Sequence, residues 1–149
     1  MYFILKERKM IDYSDIEQII EECFAELSSA SREKYDSDKA DRTAALFLKA
    51  QMKLSFLIED IELQARQAKN EITRIEGEKY FAIQPTESDK KITENMRTNF
   101  IAKEPDIVSA KASCAKQEAA LKKWNYVLDT LKNGHVYFRN LSKNKTWAE

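Results

Sequence analysis

His135, Cys23 and Cys114 are the residues whose types first suggest chemistry, since the chain has one histidine and two cysteines. A zinc site needs four N, S or O ligands at recognisable spacing, and these three lie far apart in sequence. The carboxylates are scattered over polar faces, where solvation accounts for them. No Gly-rich phosphate loop or Walker pattern is present. His135 falls on an apolar helical seam, where a polar residue more often fixes register or oligomeric state than serves as a base. No enzyme, metal or cofactor is therefore expected.

Binding chemistry is better represented. One basic group comprises Arg66, Lys69, Arg74 and Lys79, then Lys90, Lys91 and Arg97, with Tyr80 and Phe81 among them. Cations beside aromatic rings hold single strands through phosphate charge and base stacking. The simpler reading is that Arg66, Lys69 and Arg74 pair with Glu62, Glu71, Glu76 and Glu78 on the same helix. A second group lies nearer the C-terminus: Lys111, Lys116, Lys122, Lys123, Lys132, Arg139, Lys143 and Lys145, opposed by Glu118, Asp129 and Glu149. Tyr126, Tyr137 and Trp147 fall off the apolar seam there and are placed to stack. The outward face lacks the large apolar residues of a membrane-binding helix.

These groups must be carried by helices. Ile107, Ala110, Cys114, Gln117, Leu121, Trp124, Leu128, Leu131, His135 and Phe138 recur at spacings of 3 and 4 without a break. That is a heptad seam on a helix over 106–141, which needs a partner helix from this chain or another copy. Pro105 suits its first turn, and Asn133-Gly134 predicts a tolerated glycine, a kink or an end. A second long helix is expected over 41–82. Ala40, Phe47, Leu54, Ile61, Ala68, Ile75 and Ala82 recur every seven residues, flanked by Ala50, Leu57, Ala65 and Ile72.

Shorter elements fill the remainder. Ser14-Asp-Ile-Glu17 reads as a capping box. It opens an amphipathic helix with Ile16, Ile19, Ile20, Cys23, Phe24 and Leu27 at its buried positions. Residues 34–41 read as a polar loop. Pro85 breaks the long helix, and Thr86 caps a short one over 86–103 with Ile92, Met96 and Phe100 on its buried side. Tyr2–Leu5 reads as an apolar arm, so 1–40 holds an arm and a short helix, and 142–149 is a basic tail.

Scarcity of turn residues, with two Gly and two Pro in 149 residues, agrees with few long elements in one domain. The fold class expected is all-α: a long antiparallel, coiled-coil-like helical hairpin with short accessory helices, in an oligomeric assembly. The net charge is zero, with acidic excess at the front and basic excess at the back. No signal or membrane span is recognisable. Both thiols sit at apolar helix positions, as expected of buried cysteines in a reducing cytosol.

Residues 44–141 also resemble a known family, the UvsY-type recombination mediators of bacteriophages. The likeness is carried by the helix ending near Tyr80, Thr86-Glu-Ser-Asp-Lys-Lys91 and Asn95-Met-Arg-Thr98. It continues in Glu104-Pro-Asp-Ile107, Trp124 with Leu128-Asp-Thr-Leu131, and Phe138-Arg-Asn-Leu141. Leu63-Gln-Ala-Arg66 resembles the family's Leu-Lys-Ala-Arg motif, with Gln64 in place of lysine. Arg74 with Lys79 is an alternative equivalent. The resemblance implies a ring-shaped homo-oligomer in the cytoplasm of an infected host cell. Such a ring binds single-stranded DNA and helps load a RecA-like recombinase onto strands coated by single-strand-binding protein. Arg66, Lys69, Arg74, Lys79, Tyr80, Lys90, Lys91 and Arg97 are then the expected strand contacts. Ile107, Cys114, Leu121, Trp124, Leu128, Leu131, His135 and Phe138 hold subunits together or close the hairpin. The competing expectations are a coiled-coil scaffold or protein-binding inhibitor with no nucleic-acid role, and a recogniser of duplex DNA.

Overall fold

Apolar residues at helical spacing and the near absence of Gly and Pro leave the chain little choice but helix. The computed structural model describes residues 13–30, 35–82 and 94–147, with side chains as far as residue 143. Four helices follow in order: α1 Tyr13–Ser29, α2 Ser37–Ala82, α3 Glu94–Ala102 and α4 Pro105–Trp147. No strand occurs among the described residues. The expected N-terminal arm, the Pro85 break, the Thr86 cap and Ile92 lie outside them.

Several boundaries differ from the sequence expectation. α2 begins at Ser37, inside the stretch read as a loop, because Asp36 is an N-cap: its Oδ1 accepts the Lys39 backbone N–H at 2.7 Å. The polar first turn hid this start, since the apolar pattern begins only at Ala40. α4 runs through Asn133-Gly134 and on to Trp147, so 142–147 is helix where a tail was expected. Ser142 is buried, and its Oγ donates to the Asp41 carboxylate at 2.5 Å.

Contacts divide the chain into two compact units, residues 1–60 with 122–149 and residues 61–121; composition had suggested one domain. In the first unit, Ile16, Ile19, Ile20 and Cys23 of α1 meet Ala40, Phe47, Ala50, Leu54 and Leu57 of α2 and Leu131 and Phe138 of α4 in the buried core. Phe24 is corrected: it is 37% exposed, at the margin of the arc centred on Ile16, Ile20 and Cys23. α2 and α4 run antiparallel here. The Ala44 carbonyl meets His135, and Gln51 Nε2 donates to the Leu131 carbonyl at 3.4 Å. Phe138 packs its ring on Phe47 and on Tyr35, with centroids 5.3 and 5.2 Å away. The Tyr35 hydroxyl donates to the Glu26 carboxylate at the end of α1. Tyr35 is therefore a core residue in a stretch read as polar.

In the second unit, Ile61 and Ala65 of α2, Ile101 of α3 and Ile107 and Cys114 of α4 are buried. The expected buried side of α3 is corrected. Met96 and Phe100 are 45% and 53% exposed, and Ile101 is buried in their place. A nine-residue helix completes too few turns for spacing to choose between adjacent faces. Ala82, the last member of the α2 row, is exposed, since α4 starts level with Lys79, which pairs with Asp106.

Candidate nucleic-acid interface

Every position of the α4 seam from Ile107 to Phe138 is buried or half-buried. The buried part of the seam, Ile107, Cys114, Leu131 and Phe138, packs within the chain. His135 belongs to the seam: Nδ1 donates to the Ala44 carbonyl at 3.0 Å, which places the proton on that nitrogen, because a carbonyl can only accept. Its polar atom locks the register of α4 on α2. Cys23 and Cys114 are buried free thiols. Burial, followed by the charges of Glu22 and Glu26, pushes the Cys23 thiol up to about 12, so it stays neutral and unreactive. Among the described residues no group of three or more His, Cys, Asp or Glu side chains could hold a metal ion.

The first basic group is drawn together in the second unit, but its charges are largely answered there. Arg74 is clasped by Glu71 and Glu78 on its own helix. Their hydrogen bonds and charge hold the guanidinium above its usual range, and Arg74 in turn holds Glu71 below the usual carboxylate range. Lys69 pairs with Glu118 of α4 at 3.0 Å, and that contact raises its ammonium. Lys79 reaches Glu104 at 3.5 Å and Asp106 at 3.4 Å; the Glu104 charge is the main cause of its upward shift. Lys111 answers Glu76 at 3.5 Å. These exposed pairs add little stability one by one, but their alternating signs match one register of α2 on α4. Pairing on the same helix was expected for Lys69; its partner is across the hairpin. Arg66 is exposed. Arg97 is half-buried, 5.1 Å above the Tyr80 ring. Lys90 and Lys91 lie outside the described residues.

The second basic group differs. Lys122, Lys123, Lys132, Arg139 and Lys143 are all exposed on α4 within the first unit. Among the described residues, Lys122, Lys132 and Arg139 make no ion pair. Tyr126 is 76% exposed and Tyr137 is 46% exposed. At 3.6 residues per turn, Lys122, Tyr126, Asn133 and Tyr137 share one side of the rod, and Lys132, Arg139 and Lys143 lie together on the adjoining side. This part of α4 offers cations and aromatic surface on adjoining sides, with Asp129 as its one carboxylate among the described residues. Side chains beyond Lys143, including Lys145 and Trp147, lie outside the described set.

No family model, curated protein or solved structure matches this chain.

No helix among the described residues is long and apolar enough to cross a membrane. Among the described residues an apolar stripe is exposed: Leu48, Met52 and Phe56 occupy successive turns of the outer side of α2 in the first unit.

Proposed function

We propose that this protein is a non-enzymatic, phage-type recombination mediator: a homo-oligomer that grips single-stranded DNA and helps a RecA-like recombinase replace single-strand-binding protein. The observation that carries the reading is α4 in the first unit, where Lys122, Lys132 and Arg139 are exposed without an ion pair among the described residues and Tyr126 and Tyr137 are exposed on the same helix. Phosphates would meet the cations and unstacked bases the rings, a combination that tolerates any sequence. Relative to the sequence expectation, the main strand track moves from Arg66–Lys79 to α4, because most cations of the first group already have carboxylate partners. The resemblance in Glu104-Pro-Asp-Ile107 and Leu128-Asp-Thr-Leu131 supports the same assignment. The Leu48, Met52 and Phe56 stripe supports self-association, since large apolar side chains in adjacent turns favour a covering partner. Several weak strand sites in one assembly then add by avidity.

Binding of oligo-dT across a salt series tests this. Log affinity falls steeply and linearly with log salt, and Lys132→Glu with Arg139→Glu lowers affinity at least tenfold and flattens the slope. An affinity indifferent to salt, or unchanged in the double variant, counts against the reading. A coiled-coil scaffold, the competing reading favoured by the same apolar stripe, predicts self-association without oligonucleotide binding.

A further inference from the structure

The second unit contains a cleft of about 330 Å³ between α2, α3 and α4, which the strand track on α4 does not use. Its wall on α2 is formed by Thr73, Glu76, Gly77 and Tyr80; Thr98 and Lys111 face them from α3 and α4. Gly77 contributes no side chain to this wall. A Cβ built there meets nothing within 4 Å, so a side chain at this position would project into open volume.

The chemistry of the cleft selects among ligands. Its charges are balanced in pairs, Lys111 with Glu76 and nearby Lys79 with Glu104 and Asp106. A bare phosphate would find no net positive charge and would meet the Glu76 carboxylate. A neutral planar heterocycle finds better terms. Tyr80 supplies an aromatic surface that already carries Arg97 at 5.1 Å. Glu76 can accept an N–H while Lys111 donates. At this volume, the low end of small-ligand sites, there is room for a single base.

We propose that this cleft takes one unstacked nucleobase of a bound single strand, held against Tyr80 and hydrogen-bonded at its edge by Glu76, Thr98 or Lys111. The proposal rests on the single-strand reading above and deepens it. In a duplex the base edge is paired and the face stacked, so the cleft would favour single strands over duplex.

The test compares, for the full chain, oligo-dT with an abasic oligonucleotide of equal length, which keeps the phosphates and lacks the bases. The variant Gly77→Leu fills the cleft without altering any charge. The wild type is expected to bind oligo-dT about tenfold tighter than the abasic strand, the scale of one good stacking contact. Gly77→Leu should measurably reduce that preference, by the share the cleft supplies beside Tyr126 and Tyr137, while its abasic affinity stays unchanged. A thermal midpoint at or above wild type shows that the variant is folded, because leucine replaces a mid-helix glycine. Equal binding of both strands by the wild type overturns the base site, and with it stacking on Tyr126 and Tyr137, and leaves only phosphate binding on α4 standing. An undiminished preference in folded Gly77→Leu also overturns it, since the bases are then read elsewhere. Failure of the wild type to bind either strand defeats the single-strand reading, and this proposal with it.

Discussion

Gly77 and Gly134 are both glycines inside long helices, yet their surroundings give them opposite roles. A Cβ on Gly134 would lie 2.2 Å from Phe47 Cε1 and 2.6 Å from Cδ1. Phe47 is fully buried and wedged against Phe138, so it cannot step aside. Gly134→Ala should therefore destabilise the protein by about 1–3 kcal/mol, as overpacking does, although alanine is the better helix former. Gly77→Ala, with open space around it, should stabilise by roughly 0.5–1 kcal/mol. Thermal or urea unfolding of the two variants checks both signs. Cys23 gives a third residue-scale prediction. In the unfolded chain its thiol ionises from its ordinary value of 9.0; in the fold it holds its proton to about 12. The folded state thus binds more protons between these values, and stability falls as pH rises through that window, by up to about 1.4 kcal/mol per unit. Below about pH 9 the contribution is complete. Urea unfolding at pH 8 and pH 10.5 should show a smaller alkaline loss for Cys23→Val than for the wild type; equal losses would refute the assignment.

At the scale of elements, α2 and α4 are joined differently in the two units. The first uses a deep aromatic core of Phe47, Phe138 and Tyr35. Phe138→Ala should cost about 3–5 kcal/mol, the usual range for a fully buried phenylalanine, visible as a lower urea midpoint. The second unit has a thinner core and a series of ion pairs, Lys69–Glu118, Glu76–Lys111 and Lys79–Asp106. Raising salt should leave the first unit nearly unaffected and weaken the second. Hydrogen exchange in 1 M salt should therefore accelerate at amides of 61–82 and 105–121 more than at 40–58. Uniform behaviour along α2 would show that the pairs do not matter to the hairpin.

For the molecule as a whole, the decisive surface is the exposed row Leu48, Met52 and Phe56. The heptad seam is in large part covered within the chain, with Ile107, Cys114, Leu131 and Phe138 buried. If copies associate, this row is an apolar surface open to them among the described residues. Mass measurement in solution should find an oligomer for the wild type and a smaller species for Phe56→Glu, with helical content unchanged. An unchanged mass in that variant would place the contact elsewhere. Because strand binding is proposed to depend on avidity, Phe56→Glu should also weaken oligo-dT binding without touching a cation.

Hydrophobic period and poverty in Gly and Pro determined the helices, the two long stripes and the antiparallel hairpin, because those features depend on spacing along one chain. The same local information misplaced the start of α2, where Asp36 caps a polar turn, and the buried side of α3, where Ile101 won over Met96 and Phe100. It allowed Gly134 as a tolerated glycine within the helix, as found, but could not show that this is where the Phe47 ring meets the backbone. The seam could be recognised but not its partner, since apolar spacing is blind to whether the covering helix comes from the same chain. Charge was the least legible of all. The cations from Arg66 to Lys79 look available in sequence, and only the packed structure shows Lys69 and Lys79 facing carboxylates about 25 to 50 residues away. Which cations remain to meet a polyanion is decided by what folding brings opposite each one, and that distance is written nowhere in the order of the residues.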